Sequence, residues 1–187
     1  MTQKVENKLC QPQMDVPEGY ILMSGPLERD SIVNGPGLRA VLWTQGCRQH
    51  CPGCQNPETW DDSGAAGTLV KIEDVKKELA SFKGQTGLTF CGGEPLLQAK
   101  ACLEIAKFVK EELGWNVWSF TGLIFEKIPK DSEAWEFVEY LDALIDGPFI
   151  LAKRDLTLKF RGSQNQRLLH LNHGEIVSVK KKKSVGN

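Results

Sequence analysis

A cluster of three cysteines constrains this chain more than any other feature of its sequence. Cys47, Cys51 and Cys54 are spaced as Cys-x3-Cys-x2-Cys, with Pro52 and Gly53 between the last two. Proline and glycine disfavour a regular helix or a central strand there, so we expect a loop on which the three thiols converge. A structural zinc ion or a 4Fe–4S cluster usually takes four protein ligands, and this loop offers three. A cluster bound here would leave one iron open to a ligand that is not protein.

The composition is that of one ordinary globular domain. The chain has 187 residues, of which 41% are hydrophobic and 25% are charged, and its formal net charge is −1. This length can bury a core without disulfides, and the charge gives no reason to expect a nucleic-acid partner. No stretch resembles a signal peptide or a membrane span, so we expect a cytoplasmic protein with no membrane partner. In that reducing compartment clustered cysteines favour metal binding over disulfides.

Strand and helix patterns alternate along the chain. Runs of apolar and β-forming residues predict strands over residues 20–23, 38–44, 88–91, 116–120 and 143–145, the first of them at an edge. Apolar residues at helical spacing predict helices over residues 72–82, 96–113 and 132–140. This alternation is typical of parallel βα units. The tail beyond Asp155 is too short for another full set of units, so we predict an α/β fold with parallel strands: a single-domain incomplete (β/α) barrel, open on one side.

The predicted domain covers most of the chain. We expect residues 1–18 to be a poorly ordered lead-in, residues 19–179 to form the domain and residues 180–187 to be a basic flexible tail. Cys10, Cys91 and Cys102 are scattered and form no second cluster motif.

Four polar or glycine-rich segments follow predicted strands. They are the cysteine loop, Gly92–Pro95, Thr121–Gly122 and Asp146–Pro148. Ligands in parallel α/β folds collect at the C-terminal ends of the strands, so we expect these segments to meet on one rim. Gly92 and Gly93 would let backbone groups approach a ligand closely, and Glu94 could accept hydrogen bonds from its ammonium group.

Taken together, these motifs resemble the radical S-adenosylmethionine superfamily. Within it, the chain is similar to the activating-protein family of anaerobic ribonucleoside-triphosphate reductase, the glycyl-radical activases. The resemblance covers about Ile32 to Leu169. It is carried by Asn34–Gly37, Gln45–Trp60, Leu88–Leu96, Thr121–Gly122, Asp146–Phe149 and Phe160–Arg167.

The resemblance implies the cofactors and their ligands. Cys47, Cys51 and Cys54 would hold one 4Fe–4S cluster, and S-adenosyl-L-methionine would chelate the open iron. Glu94 and Gly93, beside Gly92, would hold its methionine end, and Thr121 and Gly122 would lie near its ribose. Gly53 to Gln55 could contact the adenine through their backbone.

The activity and partners also follow from the resemblance. One electron from a flavodoxin or ferredoxin would cleave the sulfonium and give a 5′-deoxyadenosyl radical. That radical would take a hydrogen atom from a glycine in the large subunit of the anaerobic reductase, leaving a stored glycyl radical. The cofactor supplies this reactivity and the protein positions it. The residues assigned to the partner surface or the active-site rim are Asp146, Arg161, Asn165, Gln166 and Arg167.

Other interpretations remain open for the protein as a whole. The chain could be another radical S-adenosylmethionine enzyme, either the activase of a different glycyl-radical protein or a modifier of small molecules. It could also be a non-catalytic iron–sulfur or zinc-binding module, with a zinc shell completed by a distant cysteine or by His50.

Individual residues also have simpler interpretations. Glu94 could merely stabilise the N-terminus of the following helix, and the polar residues between Arg161 and Arg167 could lie on a solvated strand edge. His170, His173 and the lysines at 180–183 fit ordinary polar or solvated positions. Cys91 departs from the resemblance, because relatives often carry a serine before the two glycines.

Overall fold

The computed structural model describes residues 13–180. They form one mixed sheet with helices packed against it. The strands are β1 Tyr20–Met23, β2 Glu28–Ser31, β3 Arg39–Thr44, β4 Thr68–Lys71, β5 Gly87–Gly92, β6 Asn116–Phe120, β7 Ala143–Asp146, β8 Arg167–Asn172 and β9 Glu175–Lys180. The α-helices are α1 Ile72–Ser81, α2 Ala99–Glu111 and α3 Glu133–Glu139.

The centre of the sheet is parallel and its flanks are antiparallel. The strand order is β4-β1-β3-β5-β6-β7-β8-β9, and β2 pairs with β3 beside this path. The pairs β3–β5, β5–β6 and β6–β7 are parallel, whereas β1, β4, β8 and β9 join in antiparallel fashion. The C-terminal ends of the parallel strands β3, β5, β6 and β7 therefore lie along one edge, as the sequence predicts for the four loops that follow them.

The main core lies between the sheet and the three helices. Alternate strand residues such as Leu42, Phe90 and Leu144 pack there with helix residues such as Leu79 and Phe137. A smaller apolar cluster on other strand positions contains Trp118, Ala143, Ile145 and Leu168, with Phe120 and Phe160 packed against it. Helix packing thus stabilises the sheet, and the second cluster lies next to the long loop between β7 and β8.

Several predicted boundaries change in the structure. Residues 20–23 form a strand, but β1 lies between β4 and β3 and is not at an edge. The helix predicted from residue 96 begins as a 3-10 turn, Pro95–Gln98, and continues as α2. The sequence did not predict β2, β4, β8 or β9, so the expected all-parallel arrangement is wrong: the sheet is mixed.

Short segments at both predicted domain ends fall within the described residues. Gln13 donates to the carbonyl of Leu96 at 2.8 Å and accepts from the N–H of Ala99 at 2.9 Å, and the Met14 N–H donates to the Leu97 carbonyl at 2.8 Å. Part of the predicted lead-in is therefore bonded to the domain. At the other end Lys180 closes β9. The rest of the lead-in, residues 1–12, and of the tail, residues 181–187, lies outside the described residues.

Within residues 13–180, no helix combines the length and the apolar character that crossing a membrane requires.

Candidate functional site

The cysteine loop begins after the C-terminal end of β3, and backbone hydrogen bonds join its two ends. The Gly46 N–H donates to the Thr59 carbonyl at 2.9 Å, and the Cys47 N–H donates to the Trp60 carbonyl at 3.2 Å. Within the loop, the Cys54 N–H donates to the Cys51 carbonyl at 3.0 Å. Because these bonds join the two ends, the three cysteines sit on one closed loop, as the sequence predicts.

Backbone N–H groups point at all three sulfur atoms of this loop. The Cys47 sulfur accepts from Gln49 and His50, and the Cys51 sulfur accepts from Phe149 in the loop after β7. The Cys54 sulfur accepts from Asn56 at 3.4 Å. Such N–H donors stabilise thiolate charge and tune iron–sulfur clusters. The donor set therefore fits a cluster bound by three thiolates.

Burial favours the protonated thiol at two of the three loop cysteines, Cys47 and Cys51. Burial raises the pKa of Cys47 to about 12, with a smaller contribution from the nearby Glu94. Burial also raises the pKa of Cys51 above its usual value. Since a metal binds the thiolate, loading this site must release protons.

The described residues do not surround a single metal ion. Within residues 13–180, no three histidine, cysteine or carboxylate side chains are grouped so that they could hold one ion. A structural zinc ion needs its ligands around one point, whereas each thiolate of a cubane binds a different iron. His50 instead stacks on Trp60, with ring centroids 4.9 Å apart.

The two glycines after β5 pack tightly against the stem of the cysteine loop. A Cβ on Gly93 would lie 2.2 Å from the Gly46 carbonyl oxygen, and one on Gly92 would lie 2.4 Å from the Thr44 carbonyl oxygen. The Gly93 N–H donates to Thr44 and the Glu94 N–H donates to Gly46, both at 2.8 Å. The space that we expected these glycines to leave for a ligand is thus partly filled by backbone. Their close approach fixes the cysteine loop to β5.

Glu94 links the loops after β5 and β6. Its side chain is buried, and its two oxygens accept from the N–H groups of Leu96 at 3.2 Å and Gly122 at 2.8 Å. Burial raises the pKa of Glu94 to about 7, and hydrogen bonds from Gly122, the Thr121 side chain and Leu96 act in the opposite direction. The structure therefore brings Glu94, Thr121 and Gly122 together. The bond to Leu96 also matches the simpler role of a carboxylate at a helix start.

A cavity of about 500 Å³ opens beside the cysteine loop. Of the residues predicted to bind S-adenosylmethionine, Gln55 and Gly92 line it, next to Cys54. Gly53 instead faces Leu151, since a Cβ there would lie 3.1 Å from both Leu151 methyl groups. The predicted cofactor residues thus lie in three places. Gln55 and Gly92 line the cavity, and Gly53 faces Leu151. Glu94 is hydrogen-bonded to Thr121 and Gly122.

The buried Asp146 carboxylate forms an ion pair with the partly exposed Arg167, between β7 and β8. They occupy paired positions of the two strands, and Arg167 donates to both oxygens of Asp146. Arg167 also makes two bonds to Glu126, at 2.8 and 2.7 Å, and Asp146 accepts from the Phe125 N–H at 2.9 Å. These contacts join three elements, and neither Asp146 nor Arg167 lines the cavity.

The other predicted rim residues lie in the loop before β8. Arg161 and Gln166 line the cavity, and the Arg161 Nε atom is buried without a hydrogen-bond partner. Gln166 accepts from the N–H groups of Gly162 and Ser163, while Asn165 donates to the Pro148 carbonyl at 2.7 Å. Arg161 and Gln166 therefore sit at the site, and Asn165 holds the loop together.

A buried polar chain behind the cavity was missed by the sequence interpretation. Arg39 is fully buried and donates to the Thr89 hydroxyl at 2.6 Å, and Thr89 in turn donates to the Asn34 carbonyl at 2.9 Å. The Asn34 amide donates to the Cys91 sulfur at 3.2 Å, and Asn34 and Cys91 both line the cavity. The period-two alternation of β3 and β5, which places Arg39, Thr89 and Cys91 on the face away from the helices, was the available signal.

Comparison with known proteins gives a consistent result. The family model of the 4Fe-4S single cluster domain matches residues 33–169. The anaerobic ribonucleoside-triphosphate reductase-activating protein of Vibrio cholerae is 35% identical over 142 residues, which is 72% of this chain and 89% of that protein. The proteins of the same name from Escherichia coli K12 and Enterobacteria phage T4 are 32% and 38% identical; the matches cover 75% and 73% of this chain, and 93% and 86% of those proteins.

Among solved structures, QueE from Escherichia coli is similar over 56% of this chain and 53% of its own, with a TM-score of 0.47 and 16% sequence identity. The family model matches most of this chain, and the matches to the activating proteins span most of both chains. The chain belongs to the anaerobic ribonucleoside-triphosphate reductase-activating protein family and carries its 4Fe-4S single cluster domain.

Proposed function

We propose that this protein is a radical S-adenosylmethionine activase that installs a glycyl radical in anaerobic ribonucleoside-triphosphate reductase. The observation that carries the proposal is the set of backbone N–H donors aimed at the sulfurs of Cys47, Cys51 and Cys54. These three thiols can hold three irons of a cubane and leave the fourth free. The neighbouring cavity offers room beside them.

The bound group and the chain have separate tasks. A 4Fe–4S cluster with S-adenosylmethionine supplies one-electron cleavage of the sulfonium, and with it the power to remove a hydrogen atom from glycine. The chain holds the cluster through its closed cysteine loop and orients the ligand along the cavity wall. Phe120 and Phe160 contribute apolar surface to the cavity wall and would limit water beside a bound ligand.

The contacts to S-adenosylmethionine are proposed in two groups. Gln55 and Gly92 line the cavity and would meet the ligand directly, with the backbone of Gly53 at the turn of the cysteine loop. The methionine end and the ribose would contact the two loops after β5 and β6, which Glu94 joins by hydrogen bonds. The residues of this second group are Gly93, Glu94, Thr121 and Gly122. The raised pKa of Glu94 supports this, because an ammonium group beside a buried carboxyl would favour its ionised form.

The sheet also fits the proposed function. Its parallel strands β3, β5, β6 and β7 end at the proposed site, and its three helices pack on one side. We propose that the sheet curves around the cavity as the incomplete (β/α) barrel of a radical S-adenosylmethionine domain. The loop between β7 and β8 would close the remaining side.

The partners follow from the reaction. The large subunit of the anaerobic reductase would present its glycine to the cavity, where Arg161 and Gln166, which line it, would meet the glycine. A cytoplasmic flavodoxin or ferredoxin would supply the electron.

The proposal is tested with anaerobically reconstituted protein and purified reductase. Dithionite and S-adenosylmethionine should yield 5′-deoxyadenosine, and adding the reductase should yield a glycyl-radical doublet by EPR. 5′-Deoxyadenosine without the doublet would instead indicate another radical S-adenosylmethionine enzyme. A cluster that yields neither would indicate a binding module.

A further inference from the structure

One exposed turn lies directly on the cysteine loop. It follows β7 and contains a 3-10 turn, Leu151–Lys153. The backbone N–H of Phe149 donates to the Cys51 sulfur, and the methyl groups of Leu151 lie 3.1 Å from the position that a Cβ of Gly53 would take. This turn is thus a short connection between solvent and the Cys51 thiol, and it packs on Gly53 beside it.

The outer surface of this turn combines apolar and cationic side chains. Leu151 is 52% exposed and Ile150 is 36% exposed. Lys153 and Arg154 are exposed, and neither forms an ion pair with any residue between 13 and 180. We call Ile150, Leu151, Lys153 and Arg154 the basic turn.

The positive charge is local to this segment. Residues 148–161 contain four cations and one acidic residue, Asp155, whereas the whole chain has a net charge of −1. Such a field attracts an acidic partner and repels a basic one. An exposed apolar residue flanked by cations also fits the small, transient interfaces of electron-transfer complexes.

We propose that the basic turn is the surface on which a small acidic redox protein docks to reduce the cluster. The inference rests on the proposed function and adds the place where the electron enters. One electron leaves the reduced flavin or iron–sulfur group of the partner and enters the cluster, so the partner is oxidised by one electron and no proton or chemical group is transferred. Leu151, Lys153 and Arg154 do not line the cavity, whereas Phe149 and Leu156 on either side of the turn do.

Reduction kinetics test the proposal on the reconstituted protein. The probe is a purified, fully reduced flavodoxin, and loss of cluster absorbance is followed by stopped flow at low ionic strength. Lys153→Glu/Arg154→Glu should slow reduction by flavodoxin about ten-fold or more, because both charges are reversed. Added salt should slow the wild type for the same reason. The charge-matched control Lys83→Glu/Lys107→Glu should stay within about two-fold of the wild type, because Lys83 precedes β5 at the opposite end of the sheet and Lys107 lies on α2.

Dithionite separates this proposal from the function on which it rests. As a small reductant it needs no docking surface, so it should reduce the wild type and both double variants equally. If flavodoxin reduces the Lys153→Glu/Arg154→Glu variant as fast as the wild type, the basic turn is not the docking site. If dithionite cannot reduce even the wild type, the proposed function is wrong and this inference is overturned with it.

Cross-linking gives a readout that does not depend on turnover. A carbodiimide joins lysine amines to carboxylates in contact, so flavodoxin should be linked to Lys153, as mapped by mass spectrometry. Links confined to other lysines would overturn the proposal. The proposal would also be overturned if Lys153→Glu/Arg154→Glu keeps its reduction rate but loses glycyl-radical yield. That result would mean that the basic turn contacts the reductase and not the electron donor.

Discussion

The Glu94 carboxylate accepts a hydrogen bond from the Gly122 N–H at 2.8 Å, across a sequence separation of 28 residues. This bond ties the loop after β5 to the loop after β6, next to the stem of the cysteine loop. The geometry of the site therefore depends on a carboxyl group that is almost fully buried.

Burial of Glu94 should make stability depend on pH. Its pKa is raised from 4.5 to about 7 in the folded chain, so the folded state favours the protonated form. The resulting stabilisation is fully present below pH 4.5, is lost as the pH rises to 7, and amounts to about 3 kcal/mol at most. Urea unfolding of the cluster-free protein at pH 5 and pH 8 should show this loss, and Glu94→Gln should remove most of it. The exposed Glu78→Gln change should keep it, and an unchanged pH dependence in Glu94→Gln would contradict the assignment.

Gly93 should tolerate no side chain. A Cβ would lie 2.2 Å from the carbonyl oxygen of Gly46, which is backbone and cannot rotate away. Gly93→Ala should therefore destabilise the fold by about 2 kcal/mol or more and lower the iron bound after reconstitution, because the stem of the cysteine loop must shift. Gly25→Ala is the control, since nothing lies within 4 Å of its added Cβ. Equal stability and iron content in the two variants would show that the stem is not tightly packed.

The ion pair between Asp146 and Arg167 should matter for stability more than for chemistry. Arg167→Ala leaves the buried Asp146 carboxylate with the Phe125 N–H and no cation, and should cost about 2–4 kcal/mol in urea unfolding. Glu126→Ala removes the more exposed partner and should cost less than about 1 kcal/mol. The 5′-deoxyadenosine formed per loaded cluster should be unchanged in both variants. A loss of turnover in Arg167→Ala but not in Glu126→Ala would contradict this and support the predicted role of Arg167 at the active-site rim.

Cys91 should be dispensable for the cluster. Its sulfur accepts from the Asn34 amide at 3.2 Å, an interaction that a serine hydroxyl can also make. Cys91→Ser should therefore keep the iron and sulfide content of the wild type, within about 10%. Val41→Ser, a small polar change on the neighbouring strand, is the control and should keep the same content. Loss of iron only in Cys91→Ser would make Cys91 a fourth ligand.

Local pattern was sufficient to predict the parallel centre of the sheet. The strands around Leu42, Phe90 and Val117 are short apolar runs, and the helices carry apolar residues at regular spacing, so both types of element could be located. Apart from β1, the antiparallel strands could not be predicted in this way. β2 reads Glu-Arg-Asp-Ser and β9 is exposed along its whole length, so neither has a buried face to reveal it.

The sequence predicted which residues belong to the candidate site better than it predicted their contacts. Three cysteines at close spacing place a loop without any tertiary information. The packing of Gly93 on Gly46, the engagement of Glu94 by Gly122 and the pairing of Asp146 with Arg167 join residues that are distant in sequence, and a single sequence carries no signal for such contacts. For the same reason Arg161 could not be told apart from Arg167, although only Arg161 lines the cavity.

The most direct test of the central claim is 5′-deoxyadenosine formation by the reconstituted protein with single cysteines replaced. Three thiolates and one open iron predict that Cys47→Ala, Cys51→Ala and Cys54→Ala each abolish the product, while Cys91→Ser and Cys102→Ala retain it. Product formation that persists without one of the three loop thiols, or a loaded wild type that forms none, would contradict the account.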